Sequence, residues 1–223
     1  CSSAASDVYK RQTLSLDTLD KDKISVINGT KKNFNLIPLL ESIEKYFSII
    51  KTNTVVIKGV NDNEIIDIVN YMINFKSETR FIEYMDVGES NKWDPSKVVS
   101  SETLLEKINH HYSLEQMKTE NSSTAKKWSI KNTNSSIGLI SSITQPFCSS
   151  CNRARLSVDG KLFTCLFANS GFDIKSVIRS DGYEEKFLEF FKKIWMERSD
   201  QYSQIRFTSK RDLPKVEMSY IGG

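Results

Sequence analysis

Glycine and proline are scarce, 9 and 4 in 223 residues, which excludes collagen-like and linker-dominated chains. No uninterrupted apolar stretch is long enough to cross a bilayer, so no membrane role is expected. A dominant sign of charge is also lacking: 31 Lys and Arg face 28 Asp and Glu, a net +3. A field that weak gives no reason to expect nucleic-acid binding, although local phosphate sites stay open. Four cysteines are too few for a disulfide scaffold, so their spacing carries the information. Internal repeats and low-complexity tracts are absent. What remains is globular material, 39% hydrophobic and 26% charged, in a chain long enough to bury a core as one large domain or two small ones.

Residues 1–12 are small and polar, then basic. They have neither the apolar h-region of a secretory signal nor the arginines of an organelle transit peptide. They are expected to be a non-native or disordered leader, with the native pattern starting near Thr13. From there to about Tyr112, strand and helix patterns alternate. Leu14-Ser15-Leu16 reads as a short strand. Leu36, Leu39, Leu40, Ile43, Phe47 and Ile50 recur at helical spacing, which predicts an amphipathic helix over 34–49. Residues 52–58 (TNTVVIK) are rich in β-branched residues and stop at Gly59, the mark of a buried strand. Asn61 to Glu64 supply cap candidates for a second helix through Ile65, Val69 and Met72. A strand follows over 80–85, and Ser101 opens a third helix.

This β-α-β-α-β rhythm points to a parallel sheet covered by helices. About three strands are too few to close a barrel, so residues 13–112 are expected to form part of one, with ligands at the carboxyl ends of its strands or inside it. Residues 113–223 are expected to form a second, smaller unit. In it, 113–125 read as a polar loop, 127–131 and 137–143 as an antiparallel hairpin, and 183–198 as a strong amphipathic helix.

Cys148, Cys151 and Cys165 form C-x₂-C-x₁₃-C. Asp159-Gly160 between two alternating runs is a hairpin signal, which brings Cys165 back beside Cys151. A zinc ribbon needs four ligands, and the only histidines, His110 and His111, lie far away in the chain. A redox C-x-x-C needs no third cysteine. An iron–sulfur cluster on three thiolates leaves one iron open for a substrate. The spacing therefore favours a metal, iron–sulfur ahead of zinc. Arg153 and Arg155 are two apart and would share one face of a strand, as an anion cradle or as a solvated pair. A strict two-residue turn would set Cys165 opposite Ala154, away from both arginines; a twist or bulge would change that. Lys51, Asn53 and Val55 share a strand face, which would suit a polar lumen, although from the residues alone Lys51 reads rather as the solvated start of its strand. Lys58 is its rival near the strand's carboxyl end. Arg80 begins a strand in the same way, and Met85 could be core or ligand contact.

Residues 147–156 (FCSSCNRARL), 159–162 (DGKL), 165–167 (CLF) and the Tyr220-Ile221-Gly222-Gly223 end resemble the GTP 3′,8-cyclase family of radical S-adenosylmethionine enzymes, which act in molybdenum cofactor biosynthesis. Residues 15–19 (SLDTL), 51–56 (KTNTVV), 58–62 (KGVND) and 80–88 (RFIEYMDVG) also look like that family. The resemblance implies the C-terminal part of an incomplete (β/α)₆ TIM-like barrel, followed by an α+β domain that carries a [4Fe–4S] cluster on Cys148, Cys151 and Cys165. It implies that the open iron binds the purine of GTP. Lys51, Arg80, Arg153 and Arg155 would face the substrate, Ser15 and Met85 would contact S-adenosylmethionine, and Gly222 and Gly223 would reach the active site. The reaction would join guanine C8 to ribose C3′, started by a 5′-deoxyadenosyl radical, with Arg153, Arg155, Gly222 and Gly223 as catalytic residues.

The family's first cluster motif, C-x₃-C-x₂-C, is not in the sequence. The chain is thus expected to be an N-terminally truncated form, inactive alone. A zinc-stabilised binding module and an auxiliary-cluster radical enzyme acting on a peptide are the alternatives. Thiolate-held clusters call for a reducing compartment, a bacterial cytoplasm, or a mitochondrion in a eukaryote. The family further implies a homodimer and hand-over of product to cyclic pyranopterin monophosphate synthase.

Overall fold

The computed structural model describes residues 12–29, 37–120, 123–207 and 216–221. The leader expected over 1–12, apart from Gln12, lies outside the described residues, as does the start of the helix expected over 34–49. The chain divides into two compact units. The first holds residues 1–84 and 95–145; the second holds 85–94 and 146–223.

In the first unit the order is β1 (Gln12–Ser15), α1 (Lys21–Asn28), α2 (Ile37–Ile43), β2 (Ile50–Val56), α3 (Ile65–Met72), β3 (Ser77–Glu83), α4 (Ser101–His111), β4 (Leu114–Met117), β5 (Lys126–Ile130) and β6 (Ser136–Ile140). The strands form one six-stranded sheet, ordered β1-β2-β3-β6-β5-β4. β1, β2, β3 and β6 run parallel; β5 and β4 are antiparallel additions at one edge. The α/β class and the dominance of parallel pairing follow the expected rhythm. Two points differ. The 113–125 stretch is not all loop, because Leu114–Met117 pairs with β5. The predicted hairpin joins the first unit's sheet, not the second unit. The reason is burial: Ile137, Leu139 and Ile140 are too apolar for an edge, and β6 takes a central place between β3 and β5.

Burial alternates strictly along β2 and β3. One face sends Ile50, Thr52, Thr54 and Val56, with Ser77, Thr79, Phe81 and Glu83, into the core, where Ile65, Ile68, Val69, Met72, Leu104 and Ile108 of α3 and α4 cover them. The other face carries polar and charged groups. α1 was not anticipated; Asp20 caps it by accepting from the Asp22 N–H. α3 has no side-chain cap. Asn61 instead accepts from the Ile57 N–H and donates to the carbonyls of Asp17 and Val55, fastening the loops after β1 and β2.

Glu83 ends β3 fully buried. Its carboxylate accepts from the N–H of Ser101 at 2.7 Å, from those of Ile143 and Thr144 at 2.8 Å, and from the Thr144 hydroxyl at 2.5 Å. It thereby ties the start of α4 and the loop after β6 to the sheet.

The second unit holds a three-stranded antiparallel sheet of β7 (Arg155–Leu156), β8 (Lys161–Phe163) and β9 (Phe172–Asp173), then α5 (Lys175–Ile178), α6 (Tyr183–Met196) and α7 (Tyr202–Ile205). Leu162, Ile174 and Ile194 form its core with Phe187, Phe190 and Phe191. The buried Asp86 carboxylate accepts from the Tyr202 hydroxyl and from Arg206 Nε at 2.8 Å. Glu217 accepts from the N–H groups of Glu89 and Ser90 at 2.9 and 3.1 Å. These bonds hold the 85–94 segment to the C-terminal residues within the unit.

Replacing Glu83 by Ala would leave buried donors unpaired and cost about 2–4 kcal/mol. Urea unfolding of the variant checks this; a loss below about 0.5 kcal/mol would contradict the role given to Glu83.

Candidate functional site

Register places the polar face of the first unit's sheet in cross-strand rows. Ser15 lies beside Asn53, Asn53 beside Arg80, Arg80 beside Gly138, and Gly138 beside Lys127, across five strands. In the neighbouring row Lys51 lies between Thr13 and Glu78. Period-two alternation thus brings the sequence candidates Ser15, Lys51 and Arg80 onto one face. At its centre is Glu78, which sequence reasoning missed. Arg80 Nε donates to it at 2.6 Å, Lys127 Nζ donates at 2.9 Å, and Lys51 Nζ stands 3.7 Å away. Burial alone would raise the Glu78 carboxyl; these cations outweigh it and hold its pKa below the usual carboxylate range. The rival cation Lys58 is exposed, beyond the end of β2. Met85 follows β3 and falls in the second unit, where its carbonyl accepts from the Asn91 side chain.

The cysteines sit on a loop and hairpin of the second unit. Cys148 opens a 3₁₀ turn, and the Cys151 N–H donates to its carbonyl at 3.2 Å. The following hairpin pairs Arg155 with Phe163 and Leu156 with Leu162. That register differs by one residue from a strict Asp159-Gly160 turn. The loop instead spans three residues with Gly160 at φ +84°, a left-handed position that favours glycine. Cys165 and Ala154 both lie outside the paired residues, so the expected Cys165–Ala154 pairing does not form. Arg153 precedes β7, so the two arginines do not share a regular strand face.

Arg153 is exposed, lies 4.8 Å over the Phe147 ring, and donates to Cys151 Sγ from Nε at 3.4 Å and Nη2 at 3.1 Å. Arg198, unanticipated, also reaches Cys151, its Sγ at 3.3 Å and its carbonyl at 2.9 Å. Asp200 and the Trp195 ring hold that guanidinium in place. In the sequence Arg198 is one more base past an amphipathic helix, and nothing local marks it. Burial would raise the Cys151 thiol, but the Arg153 N–H and the two guanidiniums bring its pKa below the ordinary thiol value. Cys165 goes the other way. Burial pushes it up, and the negative charges of Asp200, Cys148 and Cys151 add to this against the Phe167 N–H. Cys165 therefore senses the other two sulfurs. Arg155 is half-buried; burial first, and the Arg153 charge second, disfavour its charged form.

Among the described residues no group of three or more His, Cys, Asp or Glu side chains is arranged to hold a metal ion, and the three thiols are free. In kind the donors suit an iron–sulfur cluster: three thiols on one loop and hairpin, with positive charge on Cys151 to stabilise its thiolate. Gly222 and Gly223 lie outside the described residues.

In the metal-free chain at pH 7, iodoacetamide should label Cys151 about fivefold or more faster than Cys165, and Arg198→Ala should slow Cys151. Peptide mass spectrometry reads both rates, and equal labelling would contradict the contrast.

Residues 77–204 match the family described as Molybdenum Cofactor Synthesis C. Similar proteins include the GTP 3′,8-cyclase of Staphylococcus epidermidis RP62A and that of Staphylococcus aureus MRSA252. Each is 40% identical over 222 aligned residues, covering 96% of this chain. The chain spans 65% of the length of these relatives.

Proposed function

The chain belongs to the Molybdenum Cofactor Synthesis C family, and from that premise we propose that it serves the radical cyclisation of GTP to 3′,8-cyclo-7,8-dihydro-GTP in molybdenum cofactor biosynthesis. The observation that carries this is the trio Cys148, Cys151 and Cys165 on one loop and hairpin, with the guanidiniums of Arg153 and Arg198 on Cys151. The three thiolates would hold a [4Fe–4S] cluster. Such a cluster supplies a Lewis-acidic iron that a nucleobase can occupy.

The chain's own residues bind and orient. Arg153 donates to Cys151, and in this reading Arg155 would supply a second guanidinium to the substrate, since an arginine fork matches phosphate oxygens better than a lysine does. Lys51 and Arg80 supply cations on the first unit's sheet. Ser15 at the end of β1, and Met85 after β3, are the contacts for S-adenosylmethionine in this reading. Gly222 and Gly223 would come close to the reacting atoms, where a Cβ would not fit. The cluster that cleaves S-adenosylmethionine has no C-x₃-C-x₂-C ligand set within the 223 residues. A cytoplasmic, homodimeric enzyme that passes its product to cyclic pyranopterin monophosphate synthase completes the reading. No helix among the described residues is long and apolar enough to cross a membrane.

Anaerobic reconstitution with iron and sulfide should give a brown chain with about one four-iron cluster. Single Ser replacements of Cys148, Cys151 or Cys165 should lower the iron content and the melting temperature, because metal binding couples to folding. Stoichiometric zinc without visible absorbance would refute the cluster, and two clusters per chain would refute the assignment of ligands.

A further inference from the structure

Residues 216–221 are held at two separate points of the second unit. At the first, the Glu217 carboxylate accepts from the N–H groups of Glu89 and Ser90 at 2.9 and 3.1 Å and from the Ser90 hydroxyl at 3.1 Å. Gly88 makes room for it. Its φ is +70°, a left-handed position that favours glycine, and a Cβ there would collide with the Glu217 carboxylate. At the second point, Tyr220 meets the hairpin of β7 and β8. Its hydroxyl donates to Asp159 at 2.7 Å and accepts from Lys161 Nζ at 3.4 Å. Lys161 Nζ also stands 5.9 Å from the centre of the Tyr220 ring, and the Phe163 ring meets that ring edge-on at 6.2 Å. Lys161 and Phe163 are two apart, so they share one face of β8.

A chain end frays unless its contacts offset the entropy lost on ordering it. Here the backbone turns between the two points, with the Tyr220 N–H donating to the Glu217 carbonyl and the Ile221 N–H to that of Met218. Ile221 is then fully buried. The acceptor on the hairpin is durable as well. The Ser157 and Tyr220 hydroxyls hold the Asp159 carboxyl down to about 2, so it is ionised at neutral pH. Cys165 follows Phe163 by two residues. The chain end and the third cysteine thus depend on the same hairpin.

We propose that Tyr220 is a positioning residue whose bond to Asp159 latches the end of the chain to the hairpin that carries Cys165. The latch fixes the point from which the last two residues start. Glu217 secures the other end of the same segment to the loop after β3. Asp159, a turn residue in the sequence, gains a second task as the acceptor of the latch. The inference rests on the cyclase reading above for what the last two residues do, but the latch itself does not depend on that reading.

Hydrogen–deuterium exchange of the whole chain, read on its C-terminal peptides by mass spectrometry, tests it. The Tyr220 and Ile221 amides should be protected in the wild-type chain, because they exchange only when the segment opens. Tyr220→Phe keeps the ring on Phe163 but loses the bond, and should speed their exchange about fivefold, the order of one hydrogen bond. Asp159→Ala should do the same, and Asp159→Asn, which keeps an acceptor oxygen, should recover most of the protection. Exchange over residues 155–163 and a melting curve show for each variant that the hairpin is still folded. If the ring or Ile221 alone holds the segment, Tyr220→Phe exchanges at the wild-type rate and the inference fails. Equal loss of protection in Asp159→Asn and Asp159→Ala, or an unprotected wild-type segment, also overturns it. The expected order in a chain that takes up zinc instead of a four-iron cluster would keep the latch and end the cyclase reading. A four-iron chain in which Tyr220→Phe changes nothing would do the reverse.

Discussion

The alternation of side chains along β2 and β3 is the constraint on which the first unit depends. Odd and even residues of a strand cannot both enter the core. Once Ile50, Val56 and Phe81 are committed to the helices, Lys51, Asn53, Glu78 and Arg80 have to share the opposite face. The charges are not a surface accident, because a register slip of one residue would carry all of them into the hydrophobic core. Glu83 breaks the pattern only in appearance. It enters the core because four donors meet it there, which is how a buried carboxylate avoids its desolvation cost.

A single residue of register decides the second unit in the same way. A three-residue loop at Gly160, in place of two, pairs Arg155 with Phe163 and Leu156 with Leu162. Arg153 reaches Cys151 from the adjoining loop, while Arg198, just past α6, reaches it from a distant part of the sequence. The contrast between an acidified Cys151 and a suppressed Cys165 follows from where the guanidiniums and the burial fall.

Much of this was legible beforehand, for physical reasons. The helices at Ser101 and Tyr183 carry strong periodicity, which survives tertiary context, and the strands expected at 52–58 and 80–85 form two or three residues earlier, at 50–56 and 77–83. The C-x₂-C-x₁₃-C spacing is a local signal, and Asp159-Gly160 marked the hairpin although its loop is one residue longer than a two-residue turn. What escaped depends on partners far apart in the chain. Glu78 looks like any charged residue at a strand start until Lys127 arrives, 49 residues later. Arg198 is a helix-end base until folding aims it at Cys151, and the 127–140 hairpin declares its place only through the burial of β6. The spacing of Arg153 and Arg155 suggested one strand face, but β7 begins at Arg155, since the cysteine loop keeps Arg153 out of the ladder.

The claim beneath the account is that three thiolates hold a cluster whose fourth corner is taken by a nucleotide. Mössbauer spectroscopy of the iron-57 reconstituted chain, with and without GTP, addresses it directly. The account expects one iron of the four to differ from its neighbours and to change its isomer shift when GTP is added. Four equivalent irons, unmoved by GTP, would contradict it.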